Sequence, residues 1–220
     1  YNECDKQKAA WLRELIRAGV IAPGDVDERS IAELDPADVR GYTQCHFFAG
    51  IGGWSLALKL AGVSPEFQIW TASCPCQPFS SAGEKKGKND ERHLWPEINR
   101  LTSELNPPVI LGEQVSSKIA HNWLDGVAND LEDQDYTFGS AIIPACSVGA
   151  SHVRKRIYWG ALSNPQREGW QGYIKDKWIS SSQSTPFSVP IDNFTRARRA
   201  MVGDFSDLRQ RDGISLQMER

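Results

Sequence analysis

A short apolar run from Tyr42 to Phe48 leads into Gly50-Ile51-Gly52-Gly53, after which Trp54, Leu56, Ala57, Leu58 and Leu60 read as a helix. This order of strand, glycine turn and helix limits the possible folds more than any other feature of the chain. Parallel strands need a helical crossover between them, and glycines let the backbone turn tightly from one element into the next. The alternation continues downstream. Phe67 to Thr71 is predicted as a strand, Leu94 to Leu105 as a helix stopped by Pro107-Pro108, and Val109-Ile110-Leu111 as a buried strand. A helix over Ile119 to Leu131, a strand or strand pair over Tyr136 to Ile143, and a strand at Ile157-Tyr158-Trp159 follow. Near the start, residues 6 to 19 place Ala10, Leu12, Leu15 and Ile16 at helical spacing, with Gly19 as the stop. Strands alternating with helices imply an α/β sheet with helices on both faces.

A chain of 220 residues holds one domain, or one domain with a small appendage. Its 40% hydrophobic and 24% charged residues exclude disordered and fibrous classes. No apolar run approaches membrane-spanning length. The opening Tyr1-Asn2-Glu3-Cys4-Asp5 carries neither an initiator Met nor a signal pattern, so a chain that is not exported and lacks a short stretch at its start is expected. Cysteines at 4, 45, 74, 76 and 146 show no paired spacing, which points to a reducing cytoplasm. The net charge of -3 is unfavourable for covering DNA, yet the stretch from Arg154 through Arg199 is visibly basic. Beyond about Ser163 the periodicity dissolves, and irregular chain is expected with one helix over Ala197 to Leu208.

Four features carry chemistry. A glycine turn at a helix N-terminus lets backbone amides approach a charged ligand, though plain helix-on-sheet packing or a dinucleotide site looks similar. Cys76 stands between two prolines just after a strand, where ligands bind in open α/β sheets. A buried structural thiol, or a metal clip with Cys74, is the alternative. Glu113 in Gly112-Glu113-Gln114-Val115 follows a buried strand, where a carboxyl can hold or deliver a proton, or can simply cap a helix. In His152-Val153-Arg154-Lys155-Arg156 alternate arginines point to one side of an extended segment and can grip phosphate or a carbonyl oxygen; a solvated basic strand end is the plainer reading.

Taken in this order, the four resemble the DNA (cytosine-5) methyltransferases. Phe48-Ala49-Gly50-Ile51-Gly52-Gly53 is similar to that family's cofactor loop, and Pro75-Cys76-Gln77 to its catalytic loop. Glu113-Gln114-Val115 resembles its Glu-Asn-Val motif with Gln for Asn, and Val148 to Arg156 its arginine segment with His152 for Gln. Asp90-Glu91-Arg92 with Leu94 matches the stretch after the catalytic loop. The resemblance implies a Rossmann-like S-adenosylmethionine-dependent fold acting on double-stranded DNA, with Cys76, Glu113, Arg154 and Arg156 catalytic. It implies Gln77, Ser80, Arg92 and Gln114 as DNA contacts, and Phe48, Gly50, Gly52, Gly53, Trp54 and Pro75 around the cofactor.

The family's usual order sets two acidic cofactor contacts between the glycine loop and the catalytic Cys, but Gly53 and Cys76 are too close for that. The matching pieces lie upstream. Tyr1 to Asp5 resembles the ribose-binding segment and Gly24-Asp25-Val26 the adenine-binding one, which implies a permuted site with Glu3 on the ribose and Asp25 on the adenine. His46 replaces an Asp common in the family. The expected organisation is a catalytic core over residues 1–163 (permuted cofactor segment 1–40, loops and arginine segment 41–163) and an irregular 164–220. That last part lacks a convincing target-recognition region or closing Gly-Asn-x-Val segment. A monomer without metal, of bacterial or phage type, is expected. The rivals are a DNA-binding or regulatory remnant of the same fold and a nicotinamide-dependent enzyme.

Overall fold

The structure is a computed structural model, and it describes residues 1–75 and 94–164. Cys76, Gln77, Ser80 and Arg92, together with the expected helix at 197–208, lie outside the described residues.

Helix α1 (Lys6–Arg17) starts where the Asp5 side chain accepts hydrogen bonds from the amides of Gln7 and Lys8, and it buries Ala9 and Leu12. Helix α2 (Pro36–Val39) and a 3-10 turn at Ile31–Glu33 precede strand β1 (Gln44–Phe47). These two short pieces, too brief for any periodicity, were not expected from sequence; capping boxes at Ser30/Glu33 and Asp35/Asp38 hold them. Helix α3 (Gly53–Leu60), strand β2 (Ile69–Ala72) and helix α4 (Trp95–Leu105) follow, and Asn106 ends α4 in a left-handed conformation before the proline pair. Then come β3 (Val109–Val115), α5 (Lys118–Glu132), β4 (Tyr136–Pro144) and β5 (Lys155–Ser163).

The sheet order is β1-β2-β3-β5-β4. The first three strands run parallel, while β5 is antiparallel to both β3 and β4. Two strands exceed their expected length, β3 reaching Val115 and β5 spanning Lys155 to Ser163, because each gives the other a ladder partner across an unbroken antiparallel register. Tyr136 to Pro144 is a single strand rather than a pair.

Neighbouring strand residues face opposite sides, and the core divides accordingly. On one side Trp70, Ala72, Ile110, Ile157 and Trp159 pack with α4 and α5; on the other Ile69 and Val109 pack with Leu58 of α3. Helices therefore cover both faces, the α/β architecture expected. Trp95 meets Trp123 and Trp159 edge to face, and Phe138 stacks on Trp159. Gly112 of β3 lies directly beneath that indole, so a Cβ there would overlap the Trp159 ring.

Gly112→Ala should therefore lower unfolding stability by about 2–3 kcal/mol through overpacking. Gly126→Ala, in α5 with open space around it, should raise stability by about 0.5–1 kcal/mol. Urea midpoints of both variants check this, and equal values would contradict the packing described.

Candidate active site

At the carboxyl end of β1 the chain turns sharply. Phe48, Gly50 and Gly52 all take positive φ (53°, 56° and 78°), and Gly52 caps α3 without any side-chain hydrogen bond. Asn2 lies alongside this end, bridged in parallel to Phe47 on one side and Asp27 on the other, so residues 1–3 and the segment around Asp27 continue the sheet beyond β1. Glu3 is thereby delivered to the turn. Its carboxylate is largely buried and accepts from the amides of Gly50 (2.7 Å) and Asp5 (3.0 Å).

The glycines differ in what they face. A Cβ on Gly53 would meet nothing within 4 Å, and one on Gly50 only a carbonyl oxygen at 4.0 Å, so that side of the turn is open to a ligand. On Gly52 a Cβ would press on Leu12 and Ile21 at 3.2 and 3.1 Å. Gly52, expected at the cofactor, thus serves the packing of the turn on α1. A turn with open glycines and a carboxylate beside it fits a ligand that carries hydroxyl donors.

Asp25 is not brought to this turn by its side chain. Its carboxylate accepts from the Tyr42 hydroxyl (2.6 Å) and lines a cavity of about 350 Å³ with Cys45 and His46, a cavity that neither Glu3 nor the glycine turn borders. His46 is buried, stacked on Tyr1 and within 2.8 Å of Thr71 Oγ1; burial drives its pKa down to about 3, so it is a neutral packing group. Trp54, expected at the cofactor, donates its indole N–H to Ser73 Oγ at 2.9 Å and meets Tyr158 edge-on.

The second half of the site is built across β3 and β5. Glu113 and Tyr158 pair across the strands, as do Val115 and Arg156. This sets the Arg156 guanidinium diagonally beside Glu113, with Nε 2.6 Å from Oε1. Partial burial lifts the Glu113 carboxyl above the usual carboxylate range, while the charges of Arg156 and, less strongly, Arg154 pull it down. Arg156, rather than Arg154, therefore makes the contact; Arg154 is exposed just ahead of β5. Gln114 was expected to touch DNA, but it points to the opposite side from Glu113 and is 3% exposed. Its amide N–H donates to the Cys74 carbonyl (3.2 Å) while its oxygen accepts from Val115 N (2.9 Å).

Pro75 is the last described residue before Cys76. Cys74 is buried, and burial pushes its thiol up to about 12, which leaves it inert as a ligand or nucleophile. Among the described residues no cluster of side chains fit to hold a metal ion exists. Sequence reading missed Ser73 and Tyr158. The signal for Tyr158 was the period of two that it shares with Arg154 and Arg156 on one strand face.

A sheet of parallel strands with one antiparallel strand inserted between β3 and β4 is the fold of a methyltransferase. It superposes on that of an Entamoeba histolytica methyltransferase with a TM-score of 0.50 at 16% identity, over 76% of this chain and 45% of that one. A family model described as C-5 cytosine-specific DNA methylase matches residues 63–210. Type II methyltransferase M.NlaX of Neisseria lactamica is 30% identical, over 86% of this chain and 70% of its own length. The chain belongs to the C-5 cytosine-specific DNA methylase family. Type II methyltransferase M.HhaI of Haemophilus parahaemolyticus is 28% identical over 60% of this chain, and M.SsoII of Shigella sonnei 36% identical over 64%. The chain spans 52% of the former and 34% of the latter. The family match begins after the glycine turn, so it does not reach Glu3 or Gly50 to Gly53. Among the described residues no helix is long and apolar enough to cross a membrane.

A cation beside a carboxylate favours its ionised form, so Arg156→Met should move the Glu113 titration further upward and Arg154→Met should move it less. Carboxyl-carbon NMR titration checks both; a fall in the Glu113 pKa on removing Arg156 would contradict the pairing.

Proposed function

We propose that this chain methylates carbon 5 of cytosine in double-stranded DNA, with Cys76 adding to ring carbon 6 of a flipped-out base. The observation that carries this reading is the Glu113–Arg156 pair at the sheet's carboxyl edge, next to the residue whose side chain holds the Cys74 carbonyl.

Glu3 and the open faces of Gly50 and Gly53 are the groups to hold S-adenosylmethionine, the carboxylate accepting from ribose hydroxyls, with Phe48 and Pro75 flanking. Bound there, the cofactor supplies an electrophilic methyl group. Asp25 on the adenine amine requires its carboxylate to leave Tyr42.

The residues of the chain divide the remaining work. Glu113, whose carboxyl is lifted toward its protonated form, donates to ring nitrogen 3 as the Cys76 thiolate adds to carbon 6, so negative charge does not accumulate on the ring. Arg156, and Arg154 beside it, face the carbonyl oxygen. Carbon 5 becomes nucleophilic and takes the methyl group, leaving S-adenosylhomocysteine; the carbon 5 proton then passes to water, its bonding pair re-forms the ring double bond as the Cys76 thiolate leaves carbon 6, and ring nitrogen 3 returns its proton to Glu113. Gln77, Ser80 and Arg92 are the DNA contacts in this reading, with residues 1–163 as the core, working as a monomer in the cytoplasm of a bacterial or phage-infected cell.

Incubation with DNA containing 5-fluorocytosine and S-adenosylmethionine should give a covalent adduct on Cys76, seen by peptide mass spectrometry and absent in Cys76→Ser. Clear DNA binding without an adduct would replace this reading with that of a DNA-binding remnant. Glu113→Gln should slow adduct formation about 100-fold or more. As pH rises through the raised Glu113 pKa the wild-type chain loses the donated proton, so its rate falls there; the Gln variant should lack that falling limb.

A further inference from the structure

Two side chains that the family resemblance assigns to ligands are spent inside the protein. The Trp54 indole N–H, on the first turn of α3, donates to Ser73 Oγ, and the ring is fixed edge-on against Tyr158 at 6.2 Å between centroids. Gln114, buried on β3, donates to the carbonyl of Cys74, and because its oxygen is occupied by Val115 N the amide can offer only its nitrogen there. Ser73 and Cys74 are consecutive and follow directly on the end of β2 at Ala72. They are held from two directions, Ser73 from α3 and Cys74 from β3.

One hydrogen bond leaves a chain free to swivel about its anchor, whereas two on adjacent residues fix the direction in which the backbone continues. We infer that Trp54 and Gln114 are positioning residues, a two-point anchor that aims the chain leaving β2 toward Cys76. The inference deepens the methyltransferase reading and rests on it for the role of Cys76; the anchor itself rests on the four side chains and backbone groups described. It also ties the loop root to the helix that opens at the glycine turn, since Trp54 directly follows Gly53.

The test uses the full chain and the variants Trp54→Phe, Ser73→Ala, their double, and Gln114→Met, which keeps length and loses the donor. Hydrogen exchange of peptides spanning residues 73–76 should quicken about tenfold in each variant, with the α4 peptide unchanged. The single-turnover rate of Cys76 adduct formation on 5-fluorocytosine DNA should fall about 10- to 100-fold, with KM for S-adenosylmethionine within about twofold of wild type. The double variant should be no worse than either single, because both remove one bond. Unchanged exchange and rate in Trp54→Phe, or additive losses in the double, would overturn the anchor. A raised KM for S-adenosylmethionine with an unchanged rate would return Trp54 to the cofactor site. Should the wild-type chain form no adduct, the methyl-transfer reading falls, and the exchange measurements still decide the anchor.

Discussion

Strand β5 runs antiparallel between β3 and β4, and its register against β3 decides which side chains meet at the carboxyl edge. With Glu113 opposite Tyr158 and Val115 opposite Arg156, carboxylate and guanidinium become diagonal neighbours on one face. A slip of one residue would send Arg156 to the α4 and α5 side and bring Ile157, now buried in the core, to the site. Core packing forbids this slip, because Ile157, Trp159 and Ala161 fill the apolar side and Gly112 admits the Trp159 ring as no larger residue can. The Glu113–Arg156 pairing is thus held by aromatic packing on the opposite face of the same strands.

The other edge of the sheet depends on adjacency in space. Asn2 bridges both Phe47 and Asp27, and this brief parallel contact carries Glu3 to Gly50 from 47 residues away in sequence. A sheet is indifferent to chain order so long as neighbours pair, and an acidic residue can therefore reach the glycine turn from upstream as well as from downstream.

The helices were legible because their periodicity is local; α1, α4 and α5 fall within a residue or two of where apolar spacing and stop signals placed them. Strand ends were not, since Glu113 to Val115 is ladder only by virtue of a partner more than forty residues on. For the site, the sequence offered candidate residues but not the direction each takes. Glu113 pairs with Arg156 and Glu3 accepts from Gly50 N, while Gly52, Trp54 and Gln114 turn toward the protein and Asp25 toward Tyr42. Nothing in the local sequence of Gln114 tells which face of β3 it takes; the alternation only says that it must oppose Glu113.

The described thiols show why burial, more than proximity, selects a nucleophile. Cys45 and Cys74 are both pushed up to about 12 by desolvation, so neither contributes thiolate near neutral pH. Cys74 packs among the core residues of the α4 and α5 side, continuing the strand alternation of Trp70 and Ala72. Pro75 cannot donate to a ladder, so the extended pairing of β2 with its neighbours does not carry on through it. The Gln114 hydrogen bond to the Cys74 carbonyl holds the chain just ahead of Pro75.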